Sequence, residues 1–408
     1  MKTILLLEAS GEDQPGIIAA LMKVLAECES SVLDIGQSTI HNALAFGVLF
    51  EHDMGCRSKD ELLRAFEAAI GDLAVDVRLQ EVSHASYEEW VGQHCAPRHI
   101  VTLLARALDA RHLAAITQIA ATNRLNIEHI SRLSSRVSLT NPQSTCSSTA
   151  CVEFSVRGFP SDPSALKSEF MELASRTGID IAVQRDSVYR RNRRLVCFDM
   201  DSTLIEAEVI DELAKAAGVG DQVSAITEAA MRGELDFKQS FAQRVALLEG
   251  LDENVLEDIA NNLRLTEGCE KLICSLRKLG YKTAILSGGF QYFGEFLRRK
   301  LGFDYVYANE LDIVDGKVTG KVSGTVVDGQ RKAELLEMLA QKEGISLEQV
   351  IAVGDGANDL PMLKKAGLGV AFRAKPLVRA SAEHSISTLG LDAILYLLGF
   401  RDRDNRQL

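Results

Sequence analysis

Asp199 and Asp201 flank a single methionine in the run Asp199-Met-Asp201-Ser202-Thr203, directly after the apolar segment 195–198. Residues two apart in an extended chain face the same side, so the two carboxylates can converge on one point. The apolar segment reads as a strand, and open α/β sheets bind ligands just beyond the C-terminal ends of their strands. Converging carboxylates repel each other unless a proton or a cation lies between them. A hard divalent ion such as Mg²⁺, which prefers oxygen ligands, suits that position. The alternative is an Asx turn opening a helix, and this motif alone does not separate the two.

Three later segments bear on that choice. Ser287-Gly288-Gly289 follows the apolar run 284–286 and offers a hydroxyl and free backbone N–H groups at a strand end, as a phosphate cradle requires. Lys332 lies at the start of a helix pattern, where it can supply a point charge to a phosphate. Gly354-Asp355-Gly356-Ala357-Asn358-Asp359 follows a further apolar strand and brings acidic side chains to its end, with glycines permitting close backbone approach. Each segment is common alone. Four of them in this order at element ends are not.

The elements that must position these residues form two patterns. From residue 195 onward strands and helices alternate, which predicts a doubly wound parallel sheet of the α/β class. A helical block over 208–270 follows the first strand and reads as a cap over the strand ends, and two short strands are expected around 316–327. The first 187 residues read instead as one βαββαβ unit written twice, over 1–83 and 99–187. Such a unit puts two helices on one face of an antiparallel sheet, a ferredoxin-like α+β arrangement. Between the copies, 84–98 reads as an irregular connector carrying Trp90, and 140–148 as a polar loop. The basic run 190–194 reads as a solvated linker into the last domain, 188–408.

Composition narrows the function classes. The chain has 408 residues, 46% of them hydrophobic and 25% charged, with a net charge of −12. That balance excludes disorder as the dominant state, and an acidic chain with one short basic run is a poor nucleic-acid binder. No apolar run approaches the length of a membrane span. The apolar stretch near the N-terminus is short and broken by Glu8, so it reads as a first strand and not a signal peptide. The eight cysteines show no CxxC pair, which points to a reduced, cytoplasmic setting.

The series DxDST at 199–203, SGG at 287–289, Lys332 and GDGANDLPML at 354–363 resembles the haloacid dehalogenase phosphatase superfamily. Within it the series is most similar to the phosphoserine phosphatase family, over about 195–405. The N-terminal repeat resembles a pair of ACT domains, which sense amino acids. The resemblance implies a Mg²⁺-dependent hydrolysis of O-phospho-L-serine, with Asp199 as nucleophile and Asp201 as general acid and base. It implies Mg²⁺ held by Asp199, the Asp201 carbonyl and Asp355, and a phosphoryl group held by Ser287, Gly288 and Lys332. Asp359 would support the metal site or Lys332, and Asn358 would reach the phosphate neighbourhood. In the cap, Glu208 would meet the substrate ammonium and Arg244 its carboxylate, with Met231 and Phe237 as the apolar wall. The turn with Asp13, Pro15 and Gly16 resembles an effector site, with serine as the candidate ligand, and a homodimer is expected. Two alternatives stand beside this reading: action on another small phosphate, including transfer to a second hydroxyl, and an amino-acid sensor with an inactive phosphatase half.

Overall fold

The computed structural model describes residues 2–93, 96–136, 139–140, 149–160, 162–232 and 234–405. The chain divides into two compact units, Met1–Ala96 and Pro97–Leu408. The first runs β1 (Lys2–Glu12), α1 (Ile17–Glu27), β2 (Ser31–Ile40), β3 (Ala43–Asp53), α2 (Lys59–Ile70), β4 (Val75–Val82) and α3 (His84–Gln93). Its strands form an antiparallel sheet in the order β2-β3-β1-β4. Alternate residues of β1 and β3 (Leu5, Leu7, Val48 and Phe50) face Leu21, Leu62 and Phe66 of the two helices. Ser58 and Glu61 form a capping box that starts α2, satisfying donors the first turn would leave open.

The second unit begins with the same topology: β5 (Arg98–Ala105), α4 (Ala110–Thr122), β6 (Asn126–Arg132), β7 (Ala150–Arg157), α5 (Pro163–Thr177) and β8 (Asp180–Arg185), ordered β6-β7-β5-β8. Here β5 is buried on both faces, and its sequence accordingly reads as a continuous apolar run. One face packs on α4 and α5. The other contributes Leu104, Cys151 and Ala182 to the same core as Ile386, Leu389 and Leu397 near the C-terminus. Polar anchors reinforce this junction. The Asp180 carboxylate accepts from Ser387 N and Thr388 N, each at 2.8 Å, and from Thr388 Oγ1 at 2.6 Å.

The remaining elements are β9 (Leu195–Phe198), cap helices α6 (Val209–Ala216), α7 (Gly220–Met231), α8 (Phe237–Ala246) and α9 (Asn254–Asn262), then α10 (Cys269–Lys278), β10 (Lys282–Phe290), α11 (Gln291–Leu301), β11 (Tyr305–Val314), β12 (Lys317–Ser323), α12 (Gly329–Lys342), β13 (Val350–Gly354), α13 (Leu360–Lys365), β14 (Leu368–Phe372), α14 (Pro376–Ser381), β15 (His384–Ile386) and two short helices, α15 (Ile394–Leu397) and α16 (Asp402–Asn405). They build a seven-stranded sheet in the order β12-β11-β10-β9-β13-β14-β15. All neighbours are parallel except β11 and β12. The central strand β9 pairs with β10 on one side and β13 on the other, so the chain winds away in both directions and leaves a crevice at its C-terminal end.

Three sequence expectations need correction. The connector 84–98 is largely the helix α3, whose weak amphipathicity hid it. The region 316–327 holds one strand, β12, paired with an extension of β11. The basic run is no solvated linker: Arg190 is 1% exposed and ion-paired with Glu153, and Arg193 is 6% exposed and donates to Gln184. A planar guanidinium with a fixed partner tolerates burial that a lone charge would not. Charge density predicted solvent, but the partners sit on β7 and β8. The loop 140–148, Thr140 apart, lies outside the described residues. Because Arg190→Ala would leave Glu153 without its cation, it should destabilise the second unit by about 3 kcal/mol in denaturant melts, while Arg191→Ala, at an exposed position, should cost less than about 0.5 kcal/mol.

Candidate active site

Asp199 is the first residue beyond β9, tied to the neighbouring strand by its own N–H on Val353 O at 2.8 Å. The chain then turns sharply. Ser202 takes φ 56°, the left-handed region that costs a non-glycine residue energy, and this bends the segment back toward the sheet. Within the turn Met200 N donates to Asp199 Oδ1 at 2.8 Å, and Ser202 Oγ donates to Glu208 at 2.8 Å. Val209 N, in the first turn of α6, donates to Asp201 at 3.2 Å. Thr203, fully buried, donates to Asp355 Oδ1 at 3.1 Å and so joins the β9 and β13 ends.

The centre of the site is Lys332. Its ammonium is completely buried and lies 2.7 Å from Asp199 and 2.6 Å from Asp359. Burial alone would strip its proton, but the two carboxylates hold its pKa above the ordinary lysine value. Asp359 is fixed in turn by Gly356 N at 2.9 Å. One ammonium does not balance the acids around it. Burial, with Asp359 next in weight, raises the Asp199 carboxyl, and burial together with Glu208 raises Asp201. Asp355 is pushed up to about 7, by burial first and then by Asp359 and Glu208.

That unbalanced charge and its donor set fit a divalent cation. Oxygens of Asp199, Asp355 and Asp359 all lie within 4.8 Å of one another. They are hard carboxylate donors with no thiol or imidazole among them, as Mg²⁺ requires. Because both Asp359 oxygens are already engaged, Asp199 and Asp355 are the pair with donors to spare.

The glycines explain the close packing. A Cβ on Gly289 would sit 2.5 Å from Asp201 Oδ2, and one on Gly354 would sit 2.4 Å from the Asp359 carboxyl carbon. Gly288 is ringed by Phe237 and Asn358, whose nearest atoms stand 3.3 and 4.0 Å from where its Cβ would be. Ser287 is fully buried and its Oγ accepts from Gly289 N at 2.9 Å. From the cap, Glu208 and Arg244 face this centre. Both lie within electrostatic reach of Asp201 and of each other. Burial raises the Glu208 carboxyl, opposed by Ser202 and Arg244, and burial lowers the Arg244 guanidinium against Asp211 and Glu208. A cap-to-core ion pair, Lys238 to Asp328 at 3.1 Å, ties α8 to the N-cap of α12.

The structure therefore gathers Asp199, Asp201, Glu208, Phe237, Arg244, Ser287, Gly288, Lys332, Asp355, Asn358 and Asp359 at one crevice. The Met231 side chain lies outside the described residues. Asp13, Pro15 and Gly16 lie in the exposed turn between β1 and α1, where Gly16 takes φ 103°. Thr203 and Gly289 are site residues that the sequence reading did not single out. The DxDST and SGG motifs contained them, but nothing local says what they touch.

A seven-stranded doubly wound sheet with an inserted helical cap and this carboxylate–lysine centre defines a haloacid dehalogenase-like hydrolase. The family of that name matches residues 193–367, and an ACT domain family matches residues 3–80. The phosphoserine phosphatase of Streptomyces coelicolor is 40% identical over 97% of this chain and 92% of its own length. That of Mycobacterium tuberculosis is 38% identical over 98% and 93%. Among solved structures, a probable phosphoserine phosphatase from Vibrio cholerae superposes with TM-score 0.59 at 33% identity, covering 78% of this chain and 90% of that one. The chain belongs to the phosphoserine phosphatase family.

Two outcomes test the site. Gly289→Ala, at the end of β10, would press its Cβ on Asp201 Oδ2 and on Met200, so it should lower turnover about 10²-fold, as a steady-state assay would read. Cation binding must displace the Asp355 proton, so Mg²⁺ affinity measured by titration calorimetry should be level above pH 7 and fall roughly tenfold per unit below it.

Proposed function

We propose that the protein hydrolyses O-phospho-L-serine to serine and phosphate with Mg²⁺, as the last step of serine synthesis. The observation that carries the substrate assignment is the pair Glu208 and Arg244, opposite charges in the cap facing the same aspartate. An amino-acid phosphate has an ammonium for the first and a carboxylate for the second, and a guanidinium suits bidentate capture of a carboxylate. A sugar phosphate has neither. The printed names of the relatives agree with this choice.

In the first half of the reaction the Asp199 carboxylate attacks phosphorus in line. A P–O bond forms to Asp199 as the bond to the serine Oγ breaks, and Asp201 gives its proton to that oxygen. The raised pKa of Asp201, caused first by burial and then by Glu208, suits a group that must hold a proton for a poor leaving group. In the second half Asp201 takes a proton from water as the water attacks the aspartyl-phosphate, freeing phosphate and restoring Asp199. Ser287, Gly288 N and Lys332 hold the phosphoryl oxygens through both steps, and Phe237 closes the crevice to bulk water. Asp199 and Asp355 would hold Mg²⁺, which offsets the repulsion between nucleophile and phosphate.

The first N-terminal module, which matches an ACT domain, is the proposed place for an amino-acid effector, and a homodimer is proposed beside it. No described helix is long and apolar enough to cross a membrane, and six described cysteines are free thiols, which agrees with a reducing cytoplasm.

The deciding experiment is phosphate release from phosphoserine, phosphothreonine and a sugar phosphate, with Mg²⁺ and with EDTA. A Mg²⁺-dependent preference for phosphoserine is expected; equal rates across the panel would overturn the substrate assignment, and loss of phosphoserine without phosphate release would mean transfer to another hydroxyl. Arg244→Ala should raise KM for phosphoserine about tenfold or more and leave that for p-nitrophenyl phosphate nearly unchanged. Equal effects on both would remove Arg244 from substrate selection.

A further inference from the structure

The cap helix α8 is fastened to the phosphatase sheet differently at its two ends. Just past its C-terminal end the chain joins the sheet edge through backbone. Gly250 N donates to Val318 O at 2.8 Å, Val318 N to Leu251 O at 2.9 Å, and Glu253 N to Gly316 O at 2.9 Å. Val318 lies in β12 and Gly316 directly precedes it. At the N-terminal end the tie is Lys238 to Asp328, which among the described residues is the one ion pair from helices α6–α9 to the rest of the chain.

Asp328 divides its carboxylate between two tasks. Oδ1 accepts from Arg331 N at 2.8 Å and caps α12, the helix that carries Lys332, while Oδ2 takes the Lys238 ammonium at 3.1 Å. The preceding residue, Val327, donates its N–H to Asn309 Oδ1 at 2.8 Å, and Asn309 Nδ2 donates to Gly288 O at 2.7 Å. Lys238 is therefore joined to the Gly288 backbone through Asp328, Val327 and Asn309. Its chain neighbour Phe237 reaches over that same glycine, with the ring tip 3.3 Å from where a Gly288 Cβ would be. Lys238 keeps 66% of its side chain exposed, and an exposed pair shifts an equilibrium only about two- to fivefold. That strength suits a contact that must break to admit substrate and release product.

We propose that Lys238 is a positioning residue whose ion pair with Asp328 latches the front of α8, with Phe237, closed over Gly288. The helix opens by swinging about its backbone-anchored end. Arg244 lies near that end, so opening moves the apolar wall more than the guanidinium. The latch rests on the reading of Ser287 and Gly288 as the phosphoryl cradle.

The test is hydrogen exchange, read by mass spectrometry, in the segment 287–290 of the full chain without substrate. Lys238→Gln and Asp328→Asn should each speed exchange there about two- to fivefold, the second because asparagine still caps α12 but carries no charge. The two together should add little to either alone, Lys238→Arg should exchange like the unaltered protein, and β9 should be unchanged throughout. In about 0.5 M KCl, where an exposed pair is screened, the ratio of variant to unaltered protein should fall toward one. Unchanged exchange in either single variant would overturn the latch, as would effects of the two that add in full. Exchange is read without turnover, so a failed phosphoserine assignment would show in the phosphate-release panel and leave these ratios as they are.

Discussion

A lysine ammonium with no access to water holds the site together. Lys332 sits between Asp199 and Asp359, and an unpaired charge at that depth would be far costlier than any packing gain could offset. The constraint works in both directions. Three elements (β9, the loop after β13 and the start of α12) must meet within hydrogen-bond distance of one nitrogen, which fixes the crevice geometry. The backbone has to make room for that meeting. Side chains on Gly354 or Gly329 would strike Asp359 and Asn358, so glycine there is a packing requirement. The remaining carboxylates are left in excess, and that excess fits a divalent cation.

The cap sets two further charges beside this centre. Glu208 is the residue before α6 and Arg244 lies in the last turn of α8, so the two charges come from different helices of the inserted block. Ser202 holds Glu208 by a hydrogen bond, and Lys238 pairs α8 with the N-cap of α12. The phosphatase sheet is joined on its other side to the second βαββαβ module by a shared apolar core, with Asp180 and Arg190 as polar anchors. That module is buried on both faces of its central strand, which is why β5 lacks the alternation a half-exposed strand would show.

Much of the site was legible because its motifs are local. Asp199 and Asp201, Ser287 and Gly288, and Asp355 to Asp359 each follow an apolar strand within a few residues, and the strand-end rule then places them together. The basic run misled because charge density is a statement about solvent only when no partner exists, and Glu153 lies on another strand. The helix α3 was missed because its residues have little apolar periodicity. Thr203 and Gly289 were present in the motifs, but their contacts cross from one strand end to another, and no spacing along the chain encodes them.

By itself the sequence determined the alternation of elements, the repeated module, the carboxylates at the strand ends and the family, because each rests on periodicity or on residues adjacent in the chain. Only the tertiary structure decided which aspartates share Lys332, which glycines are obligatory, which arginines are buried and that the second module shares a core with the phosphatase sheet. Those are questions of distance between segments far apart in the chain. In a packed interior the energy of a charge or a Cβ is set by neighbours a few ångströms away, whatever their separation in sequence.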